Sequence, residues 1–303
     1  MALARRLRAD ETFDVCCVGH VCRDTIRIGD RTAEGPGGTT YYLPLALRRL
    51  GRRVAAITKL AKADEGELLS ELRAAGVEVS QLESAATTAF ENEYAPADPD
   101  RRVQRASAVA SPFTREDLGQ LRARVYHLGP LTNRDMGPGF LEAVATRGEV
   151  SLDAQGLLRR VQGGEIRPCP WPQLERGLAA IAVLKASGEE AELLVGEGDA
   201  ERAARLLVKL GPREVVVTLG SQGSVVACRE EVWHVPAVPA GAVVDPTGCG
   251  DTYMAAYLHR RLAGDDPGGA GRFAAAVAAL ALRSFGPFRG TAADAERLLH
   301  ERA

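Results

Sequence analysis

Residues 245–251 read Asp-Pro-Thr-Gly-Cys-Gly-Asp and lead directly into an apolar segment that ends at Leu258. The pattern predicts a glycine-rich turn at the start of a helix. The first turn of a helix leaves backbone N–H groups without intrahelical partners, and the aligned peptide dipoles make that end electropositive. Such a turn favours a phosphoryl oxygen. We therefore predict that the amides of Gly248, Cys249 and Gly250 stabilise charge on a phosphoryl group.

The last residue of this turn, Asp251, adds a carboxylate to the predicted anion site. Because two anions repel each other, we do not expect Asp251 to bind phosphate. It is well placed to accept a proton from a hydroxyl that attacks phosphorus, and we interpret it as a general base. The tetrapeptide Gly-x-Gly-Asp alone is equally consistent with a turn followed by an acidic helix cap.

Two segments of the chain resemble the signatures of the ribokinase-like (PfkB) carbohydrate kinases. Residues 245–251 resemble the C-terminal signature, usually Asp-Thr-x-Gly-Ala-Gly-Asp, with Pro246 and Cys249 as variations. Residues 37–51 resemble the N-terminal Gly-Gly helix that ends in Leu-Gly. The two segments occur in the family's order, and the resemblance covers nearly the whole chain. It implies a single ribokinase-like kinase domain over residues 1–303.

Apolar runs alternate with helical patterns along most of the chain, which predicts repeated β-α units of an α/β fold. The predicted strands are 14–19, 53–59, 124–128, 150–153, 180–185 and 214–219. The predicted helices are 39–49, 64–75, 134–146, 189–195, 200–210, 249–262, 271–284 and 292–302. Right-handed connections between such units require a mostly parallel sheet that is covered by helices on both faces.

Two stretches break this alternation. Residues 25–28 form a short β run, and residues 87–94 with 102–109 read as a hairpin around a turn at 95–100. Strands without a following helix are expected outside the main sheet. The resemblance implies that they form a small β lid over the substrate cleft, built from residues of about 20–36 and 86–110. Surface hairpins without a gating role remain the alternative.

Composition restricts the partners of the chain. Its 303 residues, 46% of them hydrophobic, can bury a sizeable core. The 38 Lys and Arg against 40 Asp and Glu give a net charge of −2, which offers no general attraction to nucleic acid or to an anionic membrane. The longest apolar stretch, residues 273–282, is too short to span a bilayer. The basic N-terminal residues lack the apolar segment of a secretory signal. We expect small-molecule partners, with no nucleic acid and no membrane.

The six cysteines show no Cys-x-x-Cys motif and no metal-ligand spacing with the five histidines. A reduced, cytoplasmic protein is the simplest interpretation.

Two other nucleotide-binding classes do not fit the sequence. None of the lysines follows a glycine, which excludes the phosphate loop Gly-x-x-x-x-Gly-Lys-Ser/Thr. The segment after the first predicted strand, Gly19-His20-Val21-Cys22, does not supply the Gly-x-Gly-x-x-Gly of dinucleotide-binding oxidoreductases.

The resemblance implies ATP as the phosphoryl donor, with Mg²⁺. Residues 218–223 are similar to the family's Thr-x-Gly-x-x-Gly segment beside the nucleotide, and residues 187–190 occupy the place of its Asn-x-x-Glu motif, with Ser187 instead of Asn. The predicted nucleotide contacts are Lys185, Ser187, Thr218, Gly220, Ser221 and Gly223. Glu190 is retained, and in the family this glutamate helps to order hydrated magnesium. A requirement for a monovalent cation is left open.

The acceptor is predicted to lie between the first strand, the Gly-Gly helix and the lid. A carboxylate can accept hydrogen bonds from two adjacent hydroxyls, so Asp24 is a good anchor for a sugar or polyol. The predicted substrate contacts are Asp24, Gly37, Gly38, Thr39, Tyr42, Asn92, Gln104, Arg105, Asp153 and Gln155. Tyr42 stands where the family usually has Asn, which argues against ribose. The lid residues and the Asp153–Arg159 segment resemble a subgroup that contains inositol and nucleoside kinases.

The sequence therefore predicts a kinase that transfers the γ-phosphoryl group of ATP to a hydroxyl of a small polyol, sugar or nucleoside. An inositol-like or nucleoside acceptor is favoured over ribose. The departures at Ser187 and Tyr42 also allow a degenerate kinase that acts as a non-catalytic small-molecule sensor, although Asp251 and both glycines of the turn argue against it. The exposed lid sheet predicts a homodimer that pairs through the lid.

Overall fold

The computed structural model describes residues 12–28, 31–95 and 98–301. In chain order the strands are β1 (Phe13–Val18), β2 (Cys22–Ile28), β3 (Arg31–Gly37), β4 (Val54–Leu60), β5 (Glu78–Glu83), β6 (Ala89–Ala95), β7 (Asp98–Ala108), β8 (Ala123–Leu128), β9 (Glu149–Asp153), β10 (Arg159–Gln162), β11 (Glu165–Pro168), β12 (Val183–Ser187), β13 (Glu214–Thr218), β14 (Ser224–Cys228) and β15 (Glu231–Val235). The helices are α1 (Thr39–Arg49), α2 (Glu65–Leu68), α3 (Ser70–Ala74), α4 (Phe140–Ala145), α5 (Leu174–Leu178), α6 (Gly188–Val195), α7 (Ala200–Lys209), α8 (Cys249–Ala263), α9 (Pro267–Ala281) and α10 (Ala292–His300).

The strands form two sheets. The main sheet has nine strands in the order β15-β14-β13-β12-β9-β8-β1-β4-β5. Its strands from β13 to β5 pair in parallel, and only β14 and β15 are antiparallel additions at one edge. The second sheet, called the lid sheet below, has six strands in the order β10-β11-β7-β6-β2-β3. The expected mostly parallel sheet and the separate β layer are both present.

Helices cover both faces of the main sheet, as predicted. One face packs against α1, α8, α9 and α10, which contribute buried residues such as Leu47, Tyr257 and Phe273. The other face packs against α4 to α7, through residues such as Phe140 and Leu207. Because both faces are covered, the parallel strands are apolar almost throughout, and all seven residues of β4 are buried.

Two predicted helices are shorter than expected. The segment 64–75 is divided into a short 3-10 turn, α2 and α3. The segment 134–146 is helical only over α4, because Gly139 adopts a left-handed conformation (φ 70°) directly before it. Gly137 and Pro138 precede this break, and proline removes a helix donor and disfavours a helical residue before it.

Some predicted segments extend beyond the described residues. The lid segments include residues 29–30 and 96–97, and the last predicted helix includes residue 302, all of which lie outside the described ranges. In the described part of the chain, no helix is both long and apolar enough to cross a bilayer.

The register of the main sheet brings four strand ends together. Val18 pairs with Leu128, and Leu128 pairs with Leu152. Asp153 pairs with Lys185 on β12. The residues that follow β1, β8, β9 and β12 therefore meet at one edge, where open α/β sheets place their ligands.

Candidate active site

A cavity of about 260 Å³ lies at this edge, between the main sheet and the lid sheet. It is lined by Cys22, Asp24, Gly38, Thr39, Tyr42, Phe90, Gln104, Leu131, Asp153, Gln155, Arg159, Lys185 and residues 246–251. The structure thus brings the glycine-rich turn, the Gly-Gly helix and part of the lid to one place.

The turn at 245–251 forms the start of α8. Gly248 caps the helix in a left-handed conformation (φ 70°), and a Cβ on this residue would overlap the Tyr42 ring. The Cys249 amide donates to the Pro246 carbonyl at 3.2 Å. The amides of Gly248, Gly250 and Asp251 have no hydrogen-bond acceptor among the described residues. These three amides are available to an anion, whereas the predicted Cys249 amide is already used within the turn.

Asp251 lies in the first turn of α8, where it lines the cavity. Burial raises the pKa of its carboxyl to about 6, and the nearby carboxylates Asp153 and Asp24 add to this shift. Lys185 and a hydrogen bond from the Thr39 hydroxyl act in the opposite direction. A carboxyl with this pKa is ionised at neutral pH and is a better proton acceptor than an ordinary aspartate.

A buried ion pair lies beside the start of α8. The Lys185 ammonium is 2.9 Å from Asp153 Oδ2, and both side chains are almost fully buried. Burial alone would lower the pKa of Lys185, but Asp153, Glu190 and Asp251 together hold it above its usual value. A Cβ on Gly250 would be only 3.4 Å from Lys185 Nζ. The Lys185 cation therefore lies next to the amide cradle.

The predicted acceptor anchor Asp24 faces the cavity from β2. The strand β2 pairs with β3, which ends at Gly37. A Cβ on Gly37 would overlap the Asp24 carboxylate. A Cβ on Gly38 would be 2.7 Å from the His20 carbonyl oxygen. Gly37 therefore leaves room for the Asp24 carboxylate, and Gly38 lets the chain pass close to the His20 carbonyl. Gly38 lines the cavity, whereas Gly37 is not part of its lining.

The lid contributes a chain of amide contacts above the cavity. Gln104 lines the cavity, and its side-chain NH₂ donates to the buried Asn92 side-chain oxygen at 2.9 Å. Arg159 donates to the Gln104 side-chain oxygen at 3.4 Å. Asn92 therefore supports Gln104 rather than facing the acceptor space itself.

One predicted substrate contact, Arg105, does not line the cavity. Successive side chains of a strand point to opposite faces, so Arg105 faces away from Gln104 on β7. It is exposed, and its backbone pairs with Glu165 of the neighbouring strand. The structure does not bring Arg105 to the cavity.

Arg159, which was not among the predicted site residues, lines the cavity from the start of β10. One signal was available: Gly163 and Gly164 connect β10 and β11 with φ values of 60° and 83°, as in a two-residue hairpin turn. This hairpin joins β7 and extends the lid sheet toward the cavity.

Most of the predicted nucleotide contacts are not part of the cavity lining. Ser187 follows Lys185 at the end of β12, and the Thr218 hydroxyl donates to the Ala186 carbonyl at 3.4 Å. Gly220, Ser221 and Gly223 form the turn between β13 and β14. Lys185 alone of this predicted group lines the cavity, where it contacts Asp153 instead of open solvent.

The predicted magnesium residue Glu190 belongs to a capping box at the start of α6. Its carboxylate accepts the Ser187 N–H at 2.8 Å, and its own N–H donates to the Ser187 hydroxyl at 3.2 Å. No group of three or more His, Cys, Asp or Glu side chains suited to a metal occurs within the described ranges. A Mg²⁺ ion that is held mainly by substrate phosphates keeps several waters and does not need such a group of side chains.

Comparisons with known proteins agree with this arrangement. Residues 12–292 match the family described as pfkB family carbohydrate kinase. The chain is 25% identical over 295 residues to a nucleoside kinase from Methanothermobacter thermautotrophicus, which covers 91% of both chains.

Two solved structures are similar along nearly the whole chain. One is a sulfate complex of a pyrophosphate-dependent kinase in the ribokinase family, with a TM-score of 0.85, 28% identity and coverage of 93% of this chain and 99% of that one. The other is a pyrophosphate-dependent kinase in the ribokinase family with a pyrophosphate analogue and myo-inositol, with a TM-score of 0.84, 26% identity and coverage of 93% and 99%. The fold is ribokinase-like, as the two signatures implied. This chain therefore belongs to the pfkB family of carbohydrate kinases, and it is a phosphotransferase with a hydroxyl group as acceptor.

Proposed function

We propose that the enzyme transfers the γ-phosphoryl group of ATP to one hydroxyl of a small cyclic polyol or a nucleoside. The main support is that one cavity holds both the Asp251 carboxyl, whose pKa is raised, and unpaired backbone amides at the start of α8. A proton acceptor and an anion cradle are the two groups that phosphoryl transfer to a hydroxyl requires from a protein.

In the proposed mechanism, Asp24 accepts hydrogen bonds from acceptor hydroxyls and fixes the ring between the lid and α8. The attacking hydroxyl gives its proton to Asp251 as its oxygen forms the new bond to phosphorus. The bond between that phosphorus and the bridging oxygen of the donor breaks, and ADP leaves. The amides of Gly248 and Gly250, with the Lys185 cation, stabilise the charge on the phosphoryl oxygens. Mg²⁺, when bound through the donor phosphates, neutralises part of their charge.

The cavity favours a single-ring polyol as the acceptor. Carboxylate, amide and guanidinium groups line it from several directions, through Asp24, Gln104, Gln155 and Arg159. Such a lining can satisfy hydroxyls around a whole ring, whereas a nucleobase would need a larger apolar wall. The similarity to a kinase crystallised with myo-inositol supports the same choice, and the similarity to a nucleoside kinase keeps nucleosides as the next candidates.

An exposed apolar surface beside the turn supports ATP as the donor. Val243, Val244 and Phe285 are 59%, 57% and 66% exposed. Their segments are joined, because the Gly286 amide donates to Asp245 at 3.1 Å. A nucleobase could cover this surface, which has no evident purpose for a donor that consists of phosphate alone.

Pyrophosphate is a second candidate donor, because both solved structures described above are pyrophosphate-dependent kinases. The two donors share the phosphate cradle and differ in the base. A Phe285→Ser variant separates them: we expect its KM for ATP to rise, while activity with pyrophosphate stays unchanged.

The proposal is tested with ATP or pyrophosphate, Mg²⁺ and a panel of inositols, nucleosides, ketohexoses and hexose phosphates, with products identified by ³¹P NMR. Asp251→Asn removes only the proton acceptor, and we expect turnover to fall by about 10²–10⁴-fold while donor binding is retained. The matched control is Asp199→Asn, which alters an exposed helix cap. Near-normal turnover of Asp251→Asn, or no phosphorylated product from any acceptor, would refute the proposal.

We further propose that the enzyme acts in the cytoplasm, where its six cysteines stay reduced; those cysteines are free in the structure. Pairing of two copies through the lid sheet and dependence on a monovalent cation stay predictions.

A further inference from the structure

A second cavity, of about 780 Å³, lies outside the active site. Its lining residues Leu128, Leu152 and Leu157 belong to the core that packs against α4 to α7, whereas α8 covers the other face of the main sheet. Its volume is in the range of small-molecule sites, roughly 300–1,000 Å³. Nothing in the proposed reaction uses this cavity.

The two cavities are lined in part by the same three segments of the chain. Three segments each give one residue to the active-site cavity and another, two positions later, to the second cavity: Leu131 with Asn133, Gln155 with Leu157, and Arg159 with Val161. The Asn133 backbone N–H donates to the Arg159 backbone carbonyl at 2.8 Å, so two of these segments are joined by a hydrogen bond. A molecule in the second cavity would therefore press on the backbone that carries Leu131, Gln155 and Arg159.

The lining indicates what kind of molecule fits. The Trp171 ring packs against Gly177, where a Cβ would overlap the indole, and the same ring forms part of the cavity wall. The Asn133 side-chain oxygen is buried and has no hydrogen-bond partner among the described residues. Arg134 and Glu142 are the charged residues of the lining; Arg134 is exposed and Glu142 pairs with Arg176 at 2.6 Å, so the lining holds no buried, unpaired charge. Most of the remaining lining is apolar.

We propose that this cavity binds a planar, uncharged heteroaromatic molecule that carries at least one N–H donor. The ring of this molecule packs on Trp171, and its N–H group donates a hydrogen bond to the Asn133 side-chain oxygen. Because the same segments line both cavities, the bound molecule changes the position of Leu131 in the active-site cavity. The site is thus a regulatory site for acceptor binding.

Binding can be measured without turnover by ¹⁹F NMR of protein that contains 5-fluorotryptophan. The chain has two tryptophans, and Trp233 packs against Gly268 on another part of the molecule, so its signal is an internal reference. Trp171→Phe assigns the signals. The probes are indole and benzimidazole, with cyclohexanol as a non-planar control. We expect a saturable shift of the Trp171 signal with both probes and none with cyclohexanol.

A cavity-filling variant tests the location of the site. Val161→Phe should weaken probe binding at least tenfold, whereas Ile166→Phe, which changes the paired residue outside the lining, should not. Leu141→Phe fills the cavity from α4 and replaces Val161→Phe if that protein does not fold. The Leu131 methyl signal in ¹³C-labelled protein, assigned with Leu131→Met, should move with the same probe dependence.

Several results would overturn the proposal: a Trp171 signal that stays unchanged at millimolar probe, an equal response to cyclohexanol, or undiminished binding in both filling variants. A Leu131 signal that does not move would overturn the coupling to the acceptor cavity. These readouts need no acceptor and no donor, so they can fail while the proposed kinase reaction holds, and the reverse is equally true.

Discussion

The carboxyl of Asp251 combines two opposing demands. It must be ionised to accept a proton, yet burial and the neighbouring carboxylates favour its neutral form and raise its pKa to about 6. Lys185 and Thr39 limit this shift, because both stabilise the charged form. The first-turn position near the helix dipole acts in the same direction. The side chain is therefore poised close to physiological pH, which suits a general base.

The first prediction concerns the pH dependence of turnover. Since protonated Asp251 cannot accept a proton, kcat/KM should fall about tenfold per pH unit below an inflection near pH 6. The profile should be measured by direct product analysis, with Asp199→Asn as the control. An inflection near 4 would show that the carboxyl behaves as an ordinary aspartate and that burial does not perturb it.

The second prediction concerns stability. A carboxyl whose folded pKa lies above its ordinary value of 3.8 destabilises the folded state once the pH exceeds that value, and the effect is complete above about 6. Asp251→Asn removes this charge, so it should raise the free energy of unfolding by about 1–3 kcal/mol at pH 8. The gain should vanish below pH 4. Urea titrations at both pH values check it, and an equal gain at both would contradict the linkage.

The third prediction compares two neighbouring arginines at the start of β10. Arg159 lines the cavity and contacts Gln104, whereas Arg160 is exposed on the opposite side of the strand. Arg159→Ala should raise the acceptor KM by about tenfold or more, which corresponds to loss of one charged hydrogen bond. Arg160→Ala should leave the acceptor KM unchanged. Equal effects of the two variants would place acceptor recognition elsewhere.

At the scale of elements, the two ends of α8 need glycine for different reasons. Glycines in the left-handed conformation bound it at both ends, Gly248 at φ 70° and Gly264 at φ 101°. A Cβ at Gly264 would meet no atom within 4 Å, whereas a Cβ at Gly248 would overlap the Tyr42 ring. The C-terminal glycine is thus required by backbone conformation alone, and the N-terminal one also by packing around the cradle.

The fourth prediction uses this pair. Gly264→Ala should cost about 1 kcal/mol of stability, as expected for alanine in a left-handed conformation, and should leave turnover unchanged. Gly248→Ala should cost more stability and should lower turnover, because Tyr42 and the amide cradle must move. Tyr42→Ala in the Gly248→Ala background should recover part of the lost stability. A Gly248→Ala protein as active as Gly264→Ala would show that the cradle tolerates displacement.

The elements that sequence patterns predicted best have marked ends. The bounds of α1 agree with the predicted 39–49 segment, because Gly38 (φ 88°) precedes the helix and Gly51 (φ 87°) follows it. The predicted 134–146 helix is wrong over its first half, where glycine and proline interrupt an otherwise regular apolar pattern. The strands β10 and β11 escaped prediction because four residues are too few to show a period.

At the scale of the molecule, the active-site cavity lies between the main sheet and the lid sheet. Asp24 and Gln104 come from the lid sheet, and Asp251 comes from α8 on the main sheet. An acceptor that contacts all three must hold the sheets together.

The fifth prediction follows from this placement. Once an acceptor is identified, its binding together with the donor should slow amide hydrogen exchange in β6 and β7 at least several-fold, while β13 in the main sheet is unchanged. Exchange should be followed by mass spectrometry, with an acceptor-free sample as control. Unchanged exchange in the lid at saturating ligand would show that the lid does not close on the acceptor.

Most of the cavity residues could be predicted from the sequence, but the direction of the side chains in the lid hairpin could not. Tyr42, Asp153 and Asp251 end strands or begin helices, so local pattern was enough to put them at the same edge, whereas Asp24 lies within the lid strand β2. The direction of a lid side chain depends on register, and a shift of one residue reverses it. This is why Gln104 lines the cavity and Arg105 does not. The pairing of distant strands sets that register, and no local pattern encodes it.

The lid sheet has a consequence for the order in which the protein acquires its structure. Its strands come from three separate parts of the chain, residues 22–37, 89–108 and 159–168, and β2 pairs in parallel with β6 across the intervening β-α units. Such long-range pairing closes large loops and is slow to form, whereas neighbouring strands such as β12 and β13 need only a short crossover. The lid sheet is complete only after residues 159–168 have been synthesised, and the Asp251 carboxylate comes later still, because α8 follows every lid strand in the chain. Until both late events are complete, the chain has no means of consuming its donor.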